Sequence, residues 1–388
     1  MRTHSSIHLH NESDFSASEA TGLQSSADGP VVGIPRGLLY FRYQPLWTTF
    51  FAHLGVAVQV SQPTERSRFE SAQSLTRSDL CLPVKVFLDH VARLKDSVDY
   101  ILLPRVISVS PDAYMCPKIL GLTDMVRNVF PNLPALLTPR INAKLAKPEG
   151  FAGACFEVGH HFDNSPTRVE KAWEAAQKAQ IEFEQRLLSY PLDQALGPWD
   201  ETFSRQDSTA TFQPGYRVAV IGRPYITFDS ALSHDLLNLL KRHGVQIVTP
   251  ESLPREVKDK ESQKLSKQVY WQMGKELVAA AMHYMQCPEV DGIINVSSFG
   301  CGQDSFTNAL VEYYVTKQSN KAYLNLVLDE HTADAGLNTR VEAFLDMVDQ
   351  RTKIGPFGSR AMEEEAEPIS SRKFVKQPPS PEMHLTIP

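Results

Sequence analysis

Short β-branched or aliphatic runs alternate with helical patterns along this chain, and that alternation constrains its fold more than any other feature. The runs are VVGI, GVAVQV, YILLP and PALLT in the first half, then RVAVIG, VQIV, GIINVS and AYLNLVL in the second. Strands that read as nearly continuous apolar runs, each followed by a helix, belong to parallel sheets covered on both faces. At 388 residues the chain has room for two such units, taking roughly 150 residues as the size of one domain. The two halves resemble each other in pattern and read as two versions of one architecture. The expected organisation is an α/β chain with a polar tail over 1–29, a first lobe over 30–150, a largely helical connector over 151–214, a second lobe over 215–350 and a disordered tail over 351–388. PTRVEKAWEAAQKAQIEFEQRLL, from Pro166, is the connector's main helix, with Val169, Trp173, Ala176, Phe183 and Leu187 on or near one face.

Composition narrows the function. Hydrophobic residues make up 42% and charged residues 22% of the chain, as in an ordinary globular protein. A formal net charge of -6 and the lack of a Lys/Arg stripe argue against a nucleic acid partner. No run of about eighteen apolar residues suggests a membrane span, and the N-terminus lacks the apolar core of a secretory signal. A cytoplasmic location is expected. Five scattered cysteines do not make a disulfide framework, and an odd count leaves at least one thiol free.

Three cysteines share a setting. Cys81 in SDLCLPVKVF, Cys116 in DAYMCPKILGL and Cys301 in NVSSFGCGQDSF each precede a helical pattern. Downstream of Cys81, Val84, Phe87, Leu88, Val91 and Leu94 recur at helical spacing, with Pro83 tolerated in the first turn. Helix starts beyond the carboxyl ends of parallel strands are where such sheets bind ligands, and their free N–H groups favour thiolates and anionic clusters. The plainer alternative is that each cysteine is a small buried hydrophobe. Zinc is a further option, although no closely spaced ligand pair is present. Cys287, at the end of the helical stretch VYWQMGKELVAAAMHYMQ, reads as packing, and Cys155, near His160 and His161, as a residue outside the site.

Other polar residues cluster near the same turns. Lys85, Lys118 and Arg105 flank the cysteine motifs, where they stabilise an anion or simply meet solvent. Asp304 reads as a cap for the helix after Cys301. Asp329, Glu330 and His331 follow a strand, with the chemistry for acid–base work or metal binding, but read rather as tying loops together around Thr339 and Arg340. Tyr225 and Asp229, in GRPYITFD, belong to a cleft-lining loop. His4, His8 and His10 fall in the N-terminal tail.

Taken together, VGIPRGLLYFRYQPLW, CLPVKVF, ILLPRVISV, YMCPKILGLTDM, SSFGCGQDSF and LDEHTADAGLNTRVEAFLDM resemble the CoA protein activases, or acyl-CoA dehydratase activase-related proteins. The resemblance runs from Val31 to Asp349. That family is similar to the cluster-bearing subunits of 2-hydroxyglutaryl-CoA dehydratase, benzoyl-CoA reductase and double-cubane proteins. It implies two Rossmann-like lobes with a 4Fe-4S cluster in the cleft, held by Cys81 and Cys116 from the first lobe and Cys301 from the second. It also implies an electron donor, a separate ATP-hydrolysing iron–sulfur activator of the actin and Hsp70 kind, and a homodimer or a heterodimer with a related subunit. The chain lacks the glycine-rich phosphate loop of an activator, and its five cysteines cannot supply the two sets of three that a double cubane needs. Three functions follow: a reductase or acyl-CoA dehydratase component that passes a low-potential electron to a cleft-bound substrate, a non-catalytic cluster protein for electron transfer or sensing, and a metal-free two-lobed binding protein.

Overall fold

A computed structural model describes residues 29–76, 80–145, 149–197 and 215–354. The expected tails, 1–29 and 351–388, and the end of the expected connector, 198–214, fall almost wholly outside those residues.

The first lobe runs β1 (Val31–Ile34), α1 (Tyr40–His53), β2 (Ala57–Val60), α2 (Phe69–Ser74), α3 (Leu82–Leu94), β3 (Tyr100–Leu102), β4 (Arg105–Ser108), α4 (Pro117–Leu120), α5 (Leu122–Val129), β5 (Ala135–Leu137) and β6 (Arg140–Asn142). Three helices follow: α6 (Phe151–Phe162), α7 (Pro166–Ser189) and α8 (Leu192–Leu196). The second lobe comprises β7 (Tyr216–Ile221), α9 (Pro224–Thr227), α10 (Leu236–Arg242), β8 (Val245–Val248), α11 (Arg255–Ser262), α12 (Gln272–Tyr284), β9 (Gly292–Ser298), α13 (Gly302–Gln318), β10 (Ala322–Leu328) and α14 (Asp334–Ile354). The last helix runs past the expected end of the lobe at residue 350.

Each lobe is built on a four-stranded sheet, in order β2-β1-β3-β5 and β10-β9-β7-β8. Numbered within its own lobe, either sheet has the order 2-1-3-4, and every pairing is parallel. The repeat expected from the sequence pattern is therefore a repeat of topology. β9 is buried along its whole length and β7 along its last four residues, because helices cover both faces.

In the first lobe two strands are broken by proline. Leu103 N donates to Leu137 O and Arg105 N to Pro139 O, so β3 and β5 carry on into the parallel pair β4 and β6. Pro104 and Pro139 lie at the break, where each withholds the N–H that the ladder would use. This extension carries the chain across to the second lobe. Tyr114 N donates to Tyr270 O and Gln272 N to Tyr114 O, an isolated parallel bridge between Tyr114 and Trp271.

Connector helix α7 packs along α1 and against the short turn Pro250–Ser252 of the second lobe. Its inward face is Val169, Ala172, Ala176, Gln180, Phe183 and Leu187, while Trp173 lies at the edge of that face. Helix α3 buries more than the stripe its spacing predicts. Leu82 and Val86, off that stripe, pack with Phe69 and with Ala231 and Leu232 of the second lobe, so α3 is enclosed between lobes.

Candidate functional site

The three cysteines occupy equivalent positions. Cys81 is the N-cap of α3, Cys116 of α4 and Cys301 of α13. Cys81 and Cys301 are extended in backbone, and proline follows in the first turn of the first two helices, where its fixed φ suits a helix start and its missing N–H costs nothing. At the third, Gly300 takes φ +74, a left-handed conformation that a side chain resists, and turns the chain sharply from β9 into α13. A Cβ on Gly300 would stand 4.0 Å from Cys81 Cα, so the turns carrying Cys81 and Cys301 touch across the interlobe cleft.

All three are free thiols. Burial pushes the Cys81 thiol up in pKa, against the pull of Lys118, and Cys116 pushes it up further. Burial raises Cys301 to about 12, with Asp304 adding to the rise, Arg223 opposing it and Cys81 raising it a little more. Cys81 is thus within electrostatic reach of both other cysteines, and at neutral pH the Cys81 and Cys301 thiols hold their protons. Among the described residues, no group of three or more His, Cys, Asp or Glu is arranged to hold a metal ion. The donor chemistry nonetheless suits an iron–sulfur cluster: three unpaired thiols from two lobes, at three helix starts, with Lys118 and Arg223 acting on them.

Behind Cys301 lies a polar group that the sequence did not reveal. Arg223, at the exit of β7, is 1% exposed, and its Nη2 lies 2.6 Å from Asp304 Oδ1 while its Nε donates to the same oxygen at 2.8 Å. Nη2 also donates to Gln303 Oε1 at 3.2 Å. Asp304 is therefore the anchor of a buried ion pair and not the expected cap, a position that Cys301 holds. Tyr225 is buried beside them, its hydroxyl raised well above its ordinary pKa by burial, and both Cys81 and Cys301 act on it.

The remaining expectations sort by geometry. Lys85 reaches Glu330 at 3.4 Å, and Gln73 donates to the same carboxylate, so Glu330 ties α2 and α3 to the loop after β10. Asp329 closes its own turn, accepting from His331 N and Thr332 Oγ1. The loop-tying role expected of this triplet is present, but its partners are Lys85, Gln73 and Thr332; Thr339 bonds within its own helix. Arg105 pairs with Asp124 at 2.8 Å on the exposed side of β4. Asp229 is buried between lobes, accepting from Thr64 Oγ1 and from the Ala231 and Leu232 amides, with Arg36 at 3.9 Å. Thr64 Oγ1 in turn lies 3.0 Å from His90 Nε2, a histidine fully buried on α3.

Cys155 sits in the first-lobe core on α6, where burial alone raises its pKa. Cys287 follows α12 and donates to Glu289 at 3.0 Å. Neither joins the other three.

Comparison with family models matches residues 31–253 to the CoA enzyme activase uncharacterised domain. The chain belongs to this family. The activase-domain match takes in the whole first lobe, the connector and the second lobe as far as Leu253, so it includes Cys81 and Cys116 and stops short of Cys301. No curated protein matches the chain. Among the described residues, no helix is long and apolar enough to cross a membrane.

Proposed function

We propose that this member of the activase-domain family is an iron–sulfur protein in which Cys81, Cys116 and Cys301 hold a 4Fe-4S cluster at the mouth of the interlobe cleft. One observation carries the reading: three free cysteines from distant parts of the chain are the N-caps of three helices, and the turns of Cys81 and Cys301 are in contact. A cubane presents a different iron to each thiolate, so its ligands stand wider apart than those around a single ion. Bound there, such a cluster supplies one-electron transfer, and three protein thiolates leave one iron open to a further ligand.

The chain's own residues prepare that site. The Val84 amide lies beside the Cys81 sulfur and the Asp304 amide beside that of Cys301, and Lys118 and Arg223 add positive charge, which together favour thiolate over thiol. Because burial holds Cys81 and Cys301 in the thiol form, loading the site releases protons, and affinity rises with pH. The Tyr114 to Trp271 bridge fixes the loop that delivers Cys116. The electron donor in this reading is a separate ATP-hydrolysing activator, and the acceptor is bound in the cleft. If the open position is instead closed by another ligand, the chain serves electron transfer or sensing.

Anaerobic purification followed by iron and sulfide assay and EPR tests this. About four irons per chain are expected for a cubane, retained in Cys155→Ala and Cys287→Ala and lost in Cys81→Ala, Cys116→Ala and Cys301→Ala. Colourless, iron-free protein after anaerobic reconstitution would overturn the reading and leave a metal-free binding protein.

A further inference from the structure

A second cavity lies in the second lobe, where the cluster reading makes no use of it. It opens at the carboxyl ends of β9 and β10 along the first turns of α13, with a volume of about 460 Å³. That is within the range of small-molecule sites, and the carboxyl edge of a parallel sheet is where α/β folds place them. Ser297, Phe299, Asp304, Asn308, Glu312 and Asn325 give it its chemical character.

The polar floor is rigid. Asn295 Nδ2 donates to Asn308 Oδ1 at 2.9 Å and to Asn325 Oδ1 at 3.1 Å, and Asn308 Nδ2 donates to Ser297 Oγ at 2.7 Å. Asp304 is the exception to this mutual satisfaction. It is 2% exposed, commits Oδ1 to Arg223, and leaves Oδ2 with no partner among the described residues. A buried carboxylate oxygen without a donor is costly, so an unmatched one at a cavity points to a ligand that supplies the donor.

The lining also selects the ligand's charge. It holds two carboxylates and no lysine or arginine, which excludes phosphate and carboxylate groups. An ammonium group is disfavoured as well, because Arg223 stands 2.6 Å from Asp304 Oδ1 and would face it. What remains is a neutral donor, the hydroxyl. Phe299 is 67% exposed at the rim and offers an aromatic face to a flat or apolar ring surface.

We infer that this cavity binds an uncharged, hydroxyl-bearing ring of the kind that a nucleoside or a free sugar presents, with Asp304 and Glu312 accepting from its hydroxyls and Phe299 covering one face. The site shares the β9 to α13 turn with Cys301 but needs no iron. Its occupant would sit one helical turn from the cleft.

Calorimetric titration of the full chain with adenosine and with ribose tests this, with iron content measured alongside so that binding is separated from cluster loading. Adenosine is expected to bind at one site, without competition from inorganic phosphate. Ribose binding as tightly as adenosine would assign the recognition to the sugar alone, and weaker ribose binding would assign it to the nucleoside. Because Asp304→Asn threatens the buried pair, the decisive variants are Glu312→Lys and Phe299→Ala at exposed positions. Each is expected to weaken binding by roughly tenfold, the scale of a lost charge-assisted hydrogen bond or stacking contact, with an unchanged melting curve. The inference is overturned if neither compound binds near millimolar concentration, if phosphate competes, or if both variants bind as the parent chain does.

Discussion

At the scale of single residues, the strongest constraint is the Arg223–Asp304 pair. A buried ion pair adds little net stability over a well-packed apolar pair, but removing one partner leaves an uncompensated charge. Arg223→Met is therefore expected to destabilise the chain by about 3–5 kcal/mol in urea unfolding, and the double variant Arg223→Met/Asp304→Leu to recover much of that loss. A single variant as stable as its parent would show that the pair is not desolvated as described. Arg42 and Glu276, only 17% and 14% exposed, form a second such pair between α1 and α12. Burial alone would push Glu276 up, but the Arg42 guanidinium, Lys258 and Gln272 hold it down to about 2. Its folded value thus lies below the ordinary 4.5, so the stability it contributes is present above pH 4.5 and is lost as the pH falls towards 2. Urea unfolding between those pH values should show the loss, and Glu276→Gln should flatten it.

At the scale of elements, the turns that present the cysteines depend on backbone as much as on side chains. Gly300 has φ +74, and its nearest contact to an added Cβ is an ordinary 4.0 Å, so the cost of Gly300→Ala is conformational and not steric. A loss of about 1–2 kcal/mol is expected, with Gly300→Asn milder because asparagine tolerates the left-handed region. Equal losses for the two would locate the effect elsewhere. Gly159 on α6 is the opposite case. An added Cβ would meet Val169 Cγ1 at 2.5 Å and Phe50 at 3.1 Å, where α6 crosses α7 and α1. Overpacking at Gly159→Ala should cost about 1–3 kcal/mol, and Gly159→Ala/Val169→Ala should behave better than additively, since the neighbour that clashes has been trimmed.

At the scale of the whole molecule, polar ties cross between the lobes at several places. Ser110 donates to Gln272 at 2.6 Å, Lys275 to Asp112 at 2.7 Å, and Thr64 to Asp229, beside the Tyr114 to Trp271 bridge. Apolar contact accompanies them, since first-lobe Leu82 and Val86 pack on second-lobe Ala231 and Leu232. Two lobes so joined should unfold together. Far-UV dichroism and the fluorescence of the chain's four tryptophans are expected to report one coincident transition in urea. Separate transitions would mean that the lobes are independent folding units.

Much of this architecture was legible in the sequence, because the cues were local. Buried parallel strands demand apolar runs, helices demand their 3.6-residue period, and proline after Cys81 and Cys116 marks a helix start whatever surrounds it. Those signals gave the α/β lobes and the three cysteine caps. They did not give Arg223, which sits in the quoted GRPYITFD run and looks like an ordinary surface cation until its partner, 81 residues further along the chain, is folded against it. Nor did they give the role of Asp304, which three-residue spacing from Cys301 made look like a cap. The partners of Glu330 lie 245 and 257 positions away in sequence. Periodicity and punctuation act over a few residues, and the sequence by itself determined what depends on them. Which charges are buried together, and which turns meet across the cleft, is set by contacts between distant segments, and only the tertiary structure decides those.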